Sequence, residues 1–241
     1  MSPTVCCVML VDGREEMVKR AIASFDRQRY SNKSLHIQTV RPHDWLRSYS
    51  HRYDCIPGLA GKTIGAMRNC ANSRVKADLI AHWDSDDWSH SRRLEEQVAL
   101  LEASGKECVG YRELLFWDTR GSWEIGDGPV RADPFHTAWI YRNHQANWAA
   151  GASFLYRREL WQQQPFDDAP HEDQRWWLTP RVSRNCLGVS VILPMEGPRM
   201  VCGIHGSNSE AYDRAVMLRN PDVWRRAPEW DSYCERVMKC A

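Results

Sequence analysis

The chain has 241 residues, which suits one sizeable α/β domain, and its 43% apolar residues can supply a core. A net charge of +1 gives the whole chain no preference for nucleic acid or for acidic partners. No apolar run approaches the ~20 residues of a membrane span. Nine cysteines without CxxC pairs and an N-terminus without a leader pattern predict free thiols and a cytoplasmic location.

The first part of the chain alternates strand and helix patterns. Val5–Val11 is a continuous apolar run, typical of a buried parallel strand. Glu15–Gln28 carries apolar residues at helical spacing, and Leu35–Val40 is predicted as a second strand, which gives a βαβ unit. The later predicted elements are helix Thr63–Val75, strand Leu79–Trp83, helix Arg92–Ser104, a strand within Glu107–Asp118, strand Ala152–Tyr156, helices Arg157–Gln163 and Glu172–Leu178, and strands Val189–Leu193 and Met200–Ile204.

Three stretches lack clear periodicity. Arg41–Lys62 is polar, aromatic and rich in Pro and Gly, and we predict an irregular loop there. Gly121–Ala149 contains much Gly, Pro, Trp and His. The tail from Glu210 onward has few apolar positions. Charge is also uneven, because Arg27–Tyr53 holds six Lys or Arg residues against one acid, interleaved with Tyr and Trp.

The strand Leu79–Trp83 runs directly into a group of carboxylates. Extended residues alternate faces, so Asp84 and Asp86 are predicted to point one way and Asp87 the other. A divalent cation would neutralise two carboxylates on one side, and hard oxygen ligands suit Mg²⁺ or Mn²⁺, which also take substrate phosphates. From these residues alone, a solvated acidic turn is the simpler interpretation.

Six motifs in this order resemble the GT-A family of inverting, nucleotide-sugar-dependent glycosyltransferases, family two of that class. They cover roughly residues 3–210, and each is weak alone but specific as an ordered set. The motifs are Val5–Arg14, Gly65-Ala66-Met67-Arg68-Asn69-Cys70-Ala71, Asp78–Trp88 with Arg93–Val98, Gly151–Glu159, Glu172-Asp173, and Ile204-His205-Gly206-Ser207-Asn208-Ser209. The chain departs from the family where the second strand ends, because Thr39-Val40-Arg41-Pro42 replaces the usual Asp-Asp-Gly-Ser.

The resemblance implies a fold, a division of the chain and a reaction. The fold would be GT-A, a Rossmann-like arrangement with a central, mostly parallel sheet and flanking helices. Residues 1–110 would form the nucleotide-sugar half, 111–210 the acceptor half and 211–241 a C-terminal extension. The reaction would be metal-dependent, inverting transfer of a sugar from a nucleotide diphosphate, with a UDP-sugar expected as the donor.

The resemblance also implies roles for individual residues. Asp173 would be the general base, with Glu172 as the next candidate, although acids are also common at a helix N-terminus. The metal would be Mn²⁺ or Mg²⁺ on Asp86, Asp84 and His205, although a lone His in that position is often structural. The donor-binding residues would be Val11, Asp12, Arg14, Gly65, Arg68, Trp83, Asp84, Ser85 and Asp86. The acceptor-binding residues would be Trp45, Arg47, Arg52, Trp148, Gly151, Trp176 and Asn208.

The acceptor is predicted from composition. Cationic residues bind phosphates and aromatic rings stack on an extruded base, and Arg27–Tyr53 and Trp139–Trp148 combine both residue types. The chain is similar in this respect to phage-type enzymes that glycosylate hydroxymethylated pyrimidines in double-stranded DNA, which would place it in a bacterial or phage-infected cell. The alternatives are synthesis of a surface or capsular saccharide, and a non-catalytic module that binds sugar or DNA.

Overall fold

A computed structural model describes residues 2–120, 136–145, 148–190, 192–193, 197–206, 208 and 212–239. The strands are β1 Val5–Val11, β2 Lys33–Thr39, β3 Arg52–Cys55, β4 Leu79–His82, β5 Trp88–Ser89, β6 Cys108–Asp118, β7 Thr137–Arg142, β8 Leu155–Arg157, β9 Cys186–Ser190, β10 Ile192–Leu193, β11 Gly197–Pro198, β12 Met200–Ile204 and β13 Trp224–Arg226. The helices are α1 Glu15–Asp26, α2 Ile64–Ser73, α3 Arg93–Ser104, α4 Arg158–Gln163, α5 Glu172–Leu178, α6 Pro180–Asn185, α7 Arg214–Arg219 and α8 Asp231–Lys239.

The central sheet runs in the order β13-β7-β6-β8-β4-β1-β2-β3, with β9 and β12 beside β6. Strands β1 to β4 are parallel to one another, while β8 lies antiparallel between β4 and β6. Strand β12 pairs parallel with the second half of β6. The carboxyl ends of β1, β4, β6 and β12 therefore meet at one edge of the sheet, which is where open α/β sheets bind ligands.

Strand β1 shows how the sequence builds two cores. Its side chains alternate, so that Cys7 and Met9 join the core under α1 and α3, while Cys6 and Val8 join the core on the other face. Helices α2 and α5 cover that second face through Ala71, Trp176 and their neighbours. The result is a sheet covered by helices on both faces, which explains why β1 is apolar along its whole length.

Most of the predicted elements are confirmed within a few residues, and most of the unpredicted ones lie in the aperiodic stretches, although α6 and β5 were also not predicted. The predicted loop Arg41–Lys62 contains β3, and the Gly-, Pro- and Trp-rich stretch contains β7. Strand β3 is an edge strand whose polar residues hide its pattern. The tail, for which no element was predicted because it has few apolar positions, contains α7, β13 and α8. Residues 121–135, residues 146–147 of the Trp139–Trp148 segment, and Ser207 and Ser209 of the last motif lie outside the described residues.

The tail is fixed to the sheet by a buried carboxylate. Asp118 ends β6, is fully buried, and accepts hydrogen bonds from Arg120 at 2.8 Å and from Arg214 of α7 at 2.7 Å. Burial would raise the pKa of Asp118, but the hydrogen bonds from the two guanidinium groups outweigh it and hold the pKa below its usual value. Within the described residues, no helix has the length and apolar character needed to cross a bilayer.

We predict that Asp118→Asn destabilises the protein by about 3 kcal/mol, because two buried or half-buried guanidinium groups lose their counter-charge. Urea unfolding at pH 7 measures this, and the deficit should shrink as the pH falls through the lowered pKa of Asp118, where the parent protein also loses the charge. The matched control is Glu229→Gln in an exposed pair with Arg225, which should cost under about 1 kcal/mol. Equal losses for both variants would contradict the assignment.

Candidate functional site

The carboxylate group lies in the turn between β4 and β5. The amide of Asp87 donates to the carbonyl of Asp84 at 3.4 Å, which closes the turn. Asp87 is buried and its carboxylate accepts the amide of Gly203 on β12 at 3.0 Å, whereas Asp84 and Asp86 both stay partly exposed. Burial and the neighbouring charges of Asp86 and Asp84 raise the pKa of Asp87 well above its usual value. The turn is therefore held by Asp87 and presents Asp84 and Asp86.

Asp86 is surrounded by groups that carry or accept positive charge. Its Oδ2 lies 2.9 Å from Nε2 of His205, 3.7 Å from Nη1 of Arg14 and 3.5 Å from Nδ2 of Asn208. Burial would raise the pKa of Asp86, but the hydrogen bond with His205 and the charge of Arg14 outweigh it and lower the pKa. Arg14 follows β1, and His205 and Asn208 follow β12, while Asp86 itself follows β4. The ends of three strands therefore meet at this carboxylate.

Asp84 belongs to a second group of charged side chains, in which Arg68 binds two carboxylates. Arg68 is buried on α2 and donates through Nη2 to Asp84 at 3.2 Å and through Nε to Glu172 of α5 at 3.1 Å. Burial raises the pKa of Asp84, and Asp86 adds to this effect. Burial would lower the pKa of Arg68, but Asp84 and Glu172 outweigh it and raise the pKa. The guanidinium thus joins the carboxylate turn to the start of α5.

Asp173 follows Glu172 and is partly exposed at the first turn of α5. A Cβ atom added to Gly151 would lie 2.0 Å from Oδ2 of Asp173, so the Asp173 carboxylate rests on the glycine backbone. His171, the residue just before α5, has a left-handed backbone with φ of 56°. Left-handed residues other than glycine are uncommon and cluster at functional sites. The structure thus fixes the direction in which α5 presents Asp173.

A buried histidine supports this glycine, and the sequence analysis missed it. His82 is 1% exposed; its Nδ1 lies 2.6 Å from the carbonyl oxygen of Gly151, and its Nε2 lies 3.4 Å from the hydroxyl of Tyr156. A carbonyl only accepts, so Nδ1 carries the proton and Nε2 accepts from Tyr156. Burial lowers the pKa of His82 well below its usual value, which keeps the ring neutral. A polar residue inside an apolar strand was the sequence signal.

The structure gathers most of the predicted donor residues but corrects two aromatic assignments. Gly65 and Ser85 lie beside the two charged groups, and Asp12 is exposed near Arg41. Asn208, predicted to bind the acceptor, lies instead beside Asp86. Val11 ends β1 with its side chain in the core. Trp83 and Trp176 are each 1% exposed and belong to the core, so neither ring can bind donor or acceptor. Their indole nitrogens donate to the carbonyls of Ala21 and Gln164.

The predicted acceptor residues separate into different regions. Arg52 donates to the carbonyl of Arg74 at 2.8 Å and to Asp54 at 2.9 Å, and it lines a cavity with residues from the amino ends of β1 and β2. It therefore lies away from the carboxyl edge and from the other charged groups of the site. Trp45 packs against the core beside exposed Arg47, on the side of β2 and β3. Trp148 instead lies near Gly151, and its ring contacts Tyr141 and Trp177.

The side chains at the carboxylate turn can serve as ligands for a metal ion that binds together with a diphosphate. Among the described residues, no three His, Cys, Asp or Glu side chains converge as a protein-only metal site. Asp86 and His205 offer one carboxylate oxygen and one imidazole nitrogen 2.9 Å apart, with Asp84 nearby. Mg²⁺ is usually held by one or two carboxylates and completed by water and substrate phosphates. This side-chain set is therefore sufficient for such a metal.

A sequence profile identifies the family of the part of the chain that holds the carboxylate turn and Arg68. The profile described as glycosyl transferase family 2 matches residues 7–163. The chain belongs to glycosyl transferase family 2. EpsE of Bacillus subtilis (strain 168), a glycosyltransferase by name, is 33% identical over 123 residues, which cover 47% of this chain and 44% of EpsE. The chain therefore matches under half of the length of this curated relative.

Solved structures confirm the fold of this family 2 member. Residues 1–349 of TarS from S. aureus align with a TM-score of 0.56 at 13% identity, over 83% of this chain and 60% of that one. The mannosyltransferase PcManGT from Pyrobaculum calidifontis, solved with GDP-Man and Mn²⁺, aligns with a TM-score of 0.54 at 12% identity, over 100% of this chain and 66% of that one. The predicted GT-A fold and the predicted transferase family are both confirmed.

Proposed function

We propose that the chain is a metal-dependent, inverting glycosyltransferase that moves a sugar from a nucleotide diphosphate to an acceptor hydroxyl. One observation carries the proposal: Arg68 contacts both Asp84 in the carboxylate turn and Glu172 beside Asp173. A site for a charged donor and a candidate base are thereby placed within the reach of one side chain. A non-catalytic module would have no need to bring these two groups together.

The donor site is assigned to the carboxylate turn. Asp86, Asp84 and His205 would hold Mn²⁺ or Mg²⁺, which when bound would neutralise charge on the leaving diphosphate. Arg14 lies beside Asp86, where its guanidinium can meet a phosphate. TarS has been solved with UDP-GlcNAc and PcManGT with GDP-Man and Mn²⁺. We propose a UDP-sugar for this chain and assign residues 1–110 to the donor half, completed by His205 and Asn208 from beyond it.

Asp173 is the proposed general base. It accepts the proton of the acceptor hydroxyl while the hydroxyl oxygen attacks the anomeric carbon and the bond to the diphosphate breaks. Glu172 is less suited to this role, because it is buried and its Oε1 already accepts from Arg68. Asp173 is partly exposed and supported on Gly151, so it can reach a substrate. The two adjacent acids thus have different roles, set by their surroundings.

The acceptor is proposed to lie along β7 and β13, within the acceptor half and the C-terminal extension. Tyr141 is half-buried, and its ring centroid lies 5.4 Å from that of Trp148 and 4.8 Å from that of Trp224. Arg142 and Arg225 follow Tyr141 and Trp224 in their strands and are exposed at the same edge of the sheet, on its other face, in ion pairs with the buried Glu113 and the exposed Glu229. The Arg225–Glu229 pair is exposed and weak, so the Arg225 guanidinium can exchange its carboxylate for a phosphate, whereas Arg142 is held by the buried Glu113. A hydroxymethylated pyrimidine in DNA stays our proposed acceptor, supported by this edge and no longer by Arg52.

We predict that Asp86→Ala abolishes the binding of UDP in the presence of Mn²⁺, and that a chelator abolishes turnover of the parent protein. Asp86 supplies the principal oxygen ligand, because the Asp84 carboxylate is already bound by Arg68. Calorimetry with UDP and Mn²⁺ measures the binding. Asp44→Ala, at a carboxylate exposed outside the site, is the control and should bind normally. Full turnover in excess chelator would show that the transfer needs no metal.

We predict that Asp173→Asn lowers turnover at least ~100-fold while UDP binding persists, because the shape remains and the proton acceptor is lost. Gly151→Ala should act in the same direction, because its methyl group would displace the Asp173 carboxylate. Glu159→Gln, an exposed acid in the first turn of α4, is the matched control. Parent-like turnover of Asp173→Asn would leave Asp173 as a helix-end residue.

We predict that binding to a duplex with hydroxymethylated pyrimidines weakens steeply with salt, and that Arg225→Gln reduces the slope by about one unit, for its one phosphate contact. Tyr141→Ala or Trp148→Ala should cost roughly 1–3 kcal/mol through lost stacking. Arg52→Gln is the control that leaves the slope unchanged, because Arg52 is held elsewhere. Sugar transfer to oligosaccharides with no binding to modified DNA would instead assign a saccharide acceptor.

A further inference from the structure

Arg20 is a buried arginine that the proposed mechanism does not use. It lies on α1, is 9% exposed, and faces inward although arginine is costly to bury without partners. Nη2 donates to the carbonyl oxygen of Asp86 and Nη1 donates to the carbonyl oxygen of Met238, each at 2.7 Å. One rigid guanidinium therefore joins two main-chain segments that are far apart in the sequence.

The first hydrogen-bond acceptor of Arg20 is the main-chain carbonyl of Asp86, the residue proposed to bind the metal. A Cβ atom added to Gly203 would lie 2.8 Å from the carbonyl oxygen of Asp86, so β12 packs directly against that carbonyl. Arg20 holds the same carbonyl from α1. The position of the Asp86 backbone, and with it the origin of its carboxylate, is therefore set by contacts on two sides. Loss of Arg20 would remove one of them.

The second hydrogen-bond acceptor of Arg20, the carbonyl of Met238, lies near the end of α8. The last carbonyls of a helix have no partner within the helix, and a cation there also matches the helix dipole. Arg20 supplies both for Met238. Cys234, Val237 and Met238 anchor α8 in the core beneath β6 and β12. A cavity of about 100 Å³ is lined by Arg20, Asp86, His205, Met238 and Lys239, so α8 reaches the side of the metal ligands.

We propose that Arg20 is a positioning residue that ties the turn carrying Asp86 to the last turn of α8, so that the C-terminal helix forms part of the donor site. The proposal rests on the proposed function for the role of Asp86 in metal binding. Arg20 lies behind the Asp86 carbonyl and touches no substrate in this scheme. Its effect is to hold the Asp86 carboxylate in place before the donor arrives.

The test compares Arg20→Met with Arg199→Met, a matched control. Arg199 is 2% exposed, and its guanidinium pairs with Glu96 of α3. Two readouts are measured on the full chain: hydrogen exchange of the peptides covering 84–89 and 231–239 without ligand, and Mn²⁺ affinity in the presence of UDP. Arg20→Met should speed exchange in both peptides and weaken Mn²⁺ about tenfold, the scale of losing a charged hydrogen bond. Arg199→Met should change neither readout.

Arg20→Lys serves if Arg20→Met does not fold. A single ammonium group cannot span both carbonyls as a guanidinium fork does, so exchange should rise in at least one of the two peptides and the Mn²⁺ affinity should fall. Parent-like exchange and affinity in either Arg20 variant, or an equal loss in Arg199→Met, would overturn the proposal. If the parent protein binds no Mn²⁺ with UDP, the proposed metal dependence is wrong, and the ligand-free exchange result alone decides the role of Arg20.

Discussion

The site depends on one buried guanidinium placed between carboxylates. Asp84, Asp86 and Glu172 would repel one another at this half-buried edge, and Arg68 compensates two of them directly. Arg68 reaches them because α2 approaches α5 closely at Gly65, where a Cβ atom would lie 2.0 Å from the carbonyl oxygen of Asp167 and 3.0 Å from Cβ of Glu172. The absence of a side chain at Gly65 is thus a condition for the charge arrangement that the proposed chemistry needs.

Elements with a clear period were predictable, whereas elements at the sheet margins were not. Val5–Val11 was predicted with its observed bounds, because a strand buried on both faces is apolar throughout. Strand β7 was not predicted, because its neighbours in the sequence are rich in Gly and Pro, although Ala138 and Trp139 are buried. Strand β13 has three residues, two of them arginine, and is defined by pairing with β7. Such pairing is a long-range property that a local pattern does not contain.

The residues of the site also divide into those that could be predicted from the sequence and those that could not. Motif residues such as Asp86, His205 and Arg68 are brought together, because each follows or lies near a strand end and the topology joins those ends. Trp83 and Trp176 were wrongly placed in the site, since an indole ring is as suited to a core as to a ligand. His82 and Arg20 could not be assigned at all. Their partners are the main-chain carbonyls of Gly151, Asp86 and Met238, and a carbonyl has no signature in a sequence.

The family match ends at residue 163, yet the site continues beyond it. The proposed base, the histidine beside Asp86 and the helix bound by Arg20 all come from residues 171–239. The matched part supplies the strand ends of β1, β4 and β6 and the carboxylate turn. The later part supplies the proposed base Asp173 on α5 and the Met238 carbonyl, which Arg20 binds together with the carbonyl of Asp86. In the proposed scheme the acceptor edge therefore draws on both parts, because β13, beyond the match, places Trp224 against Tyr141, within it.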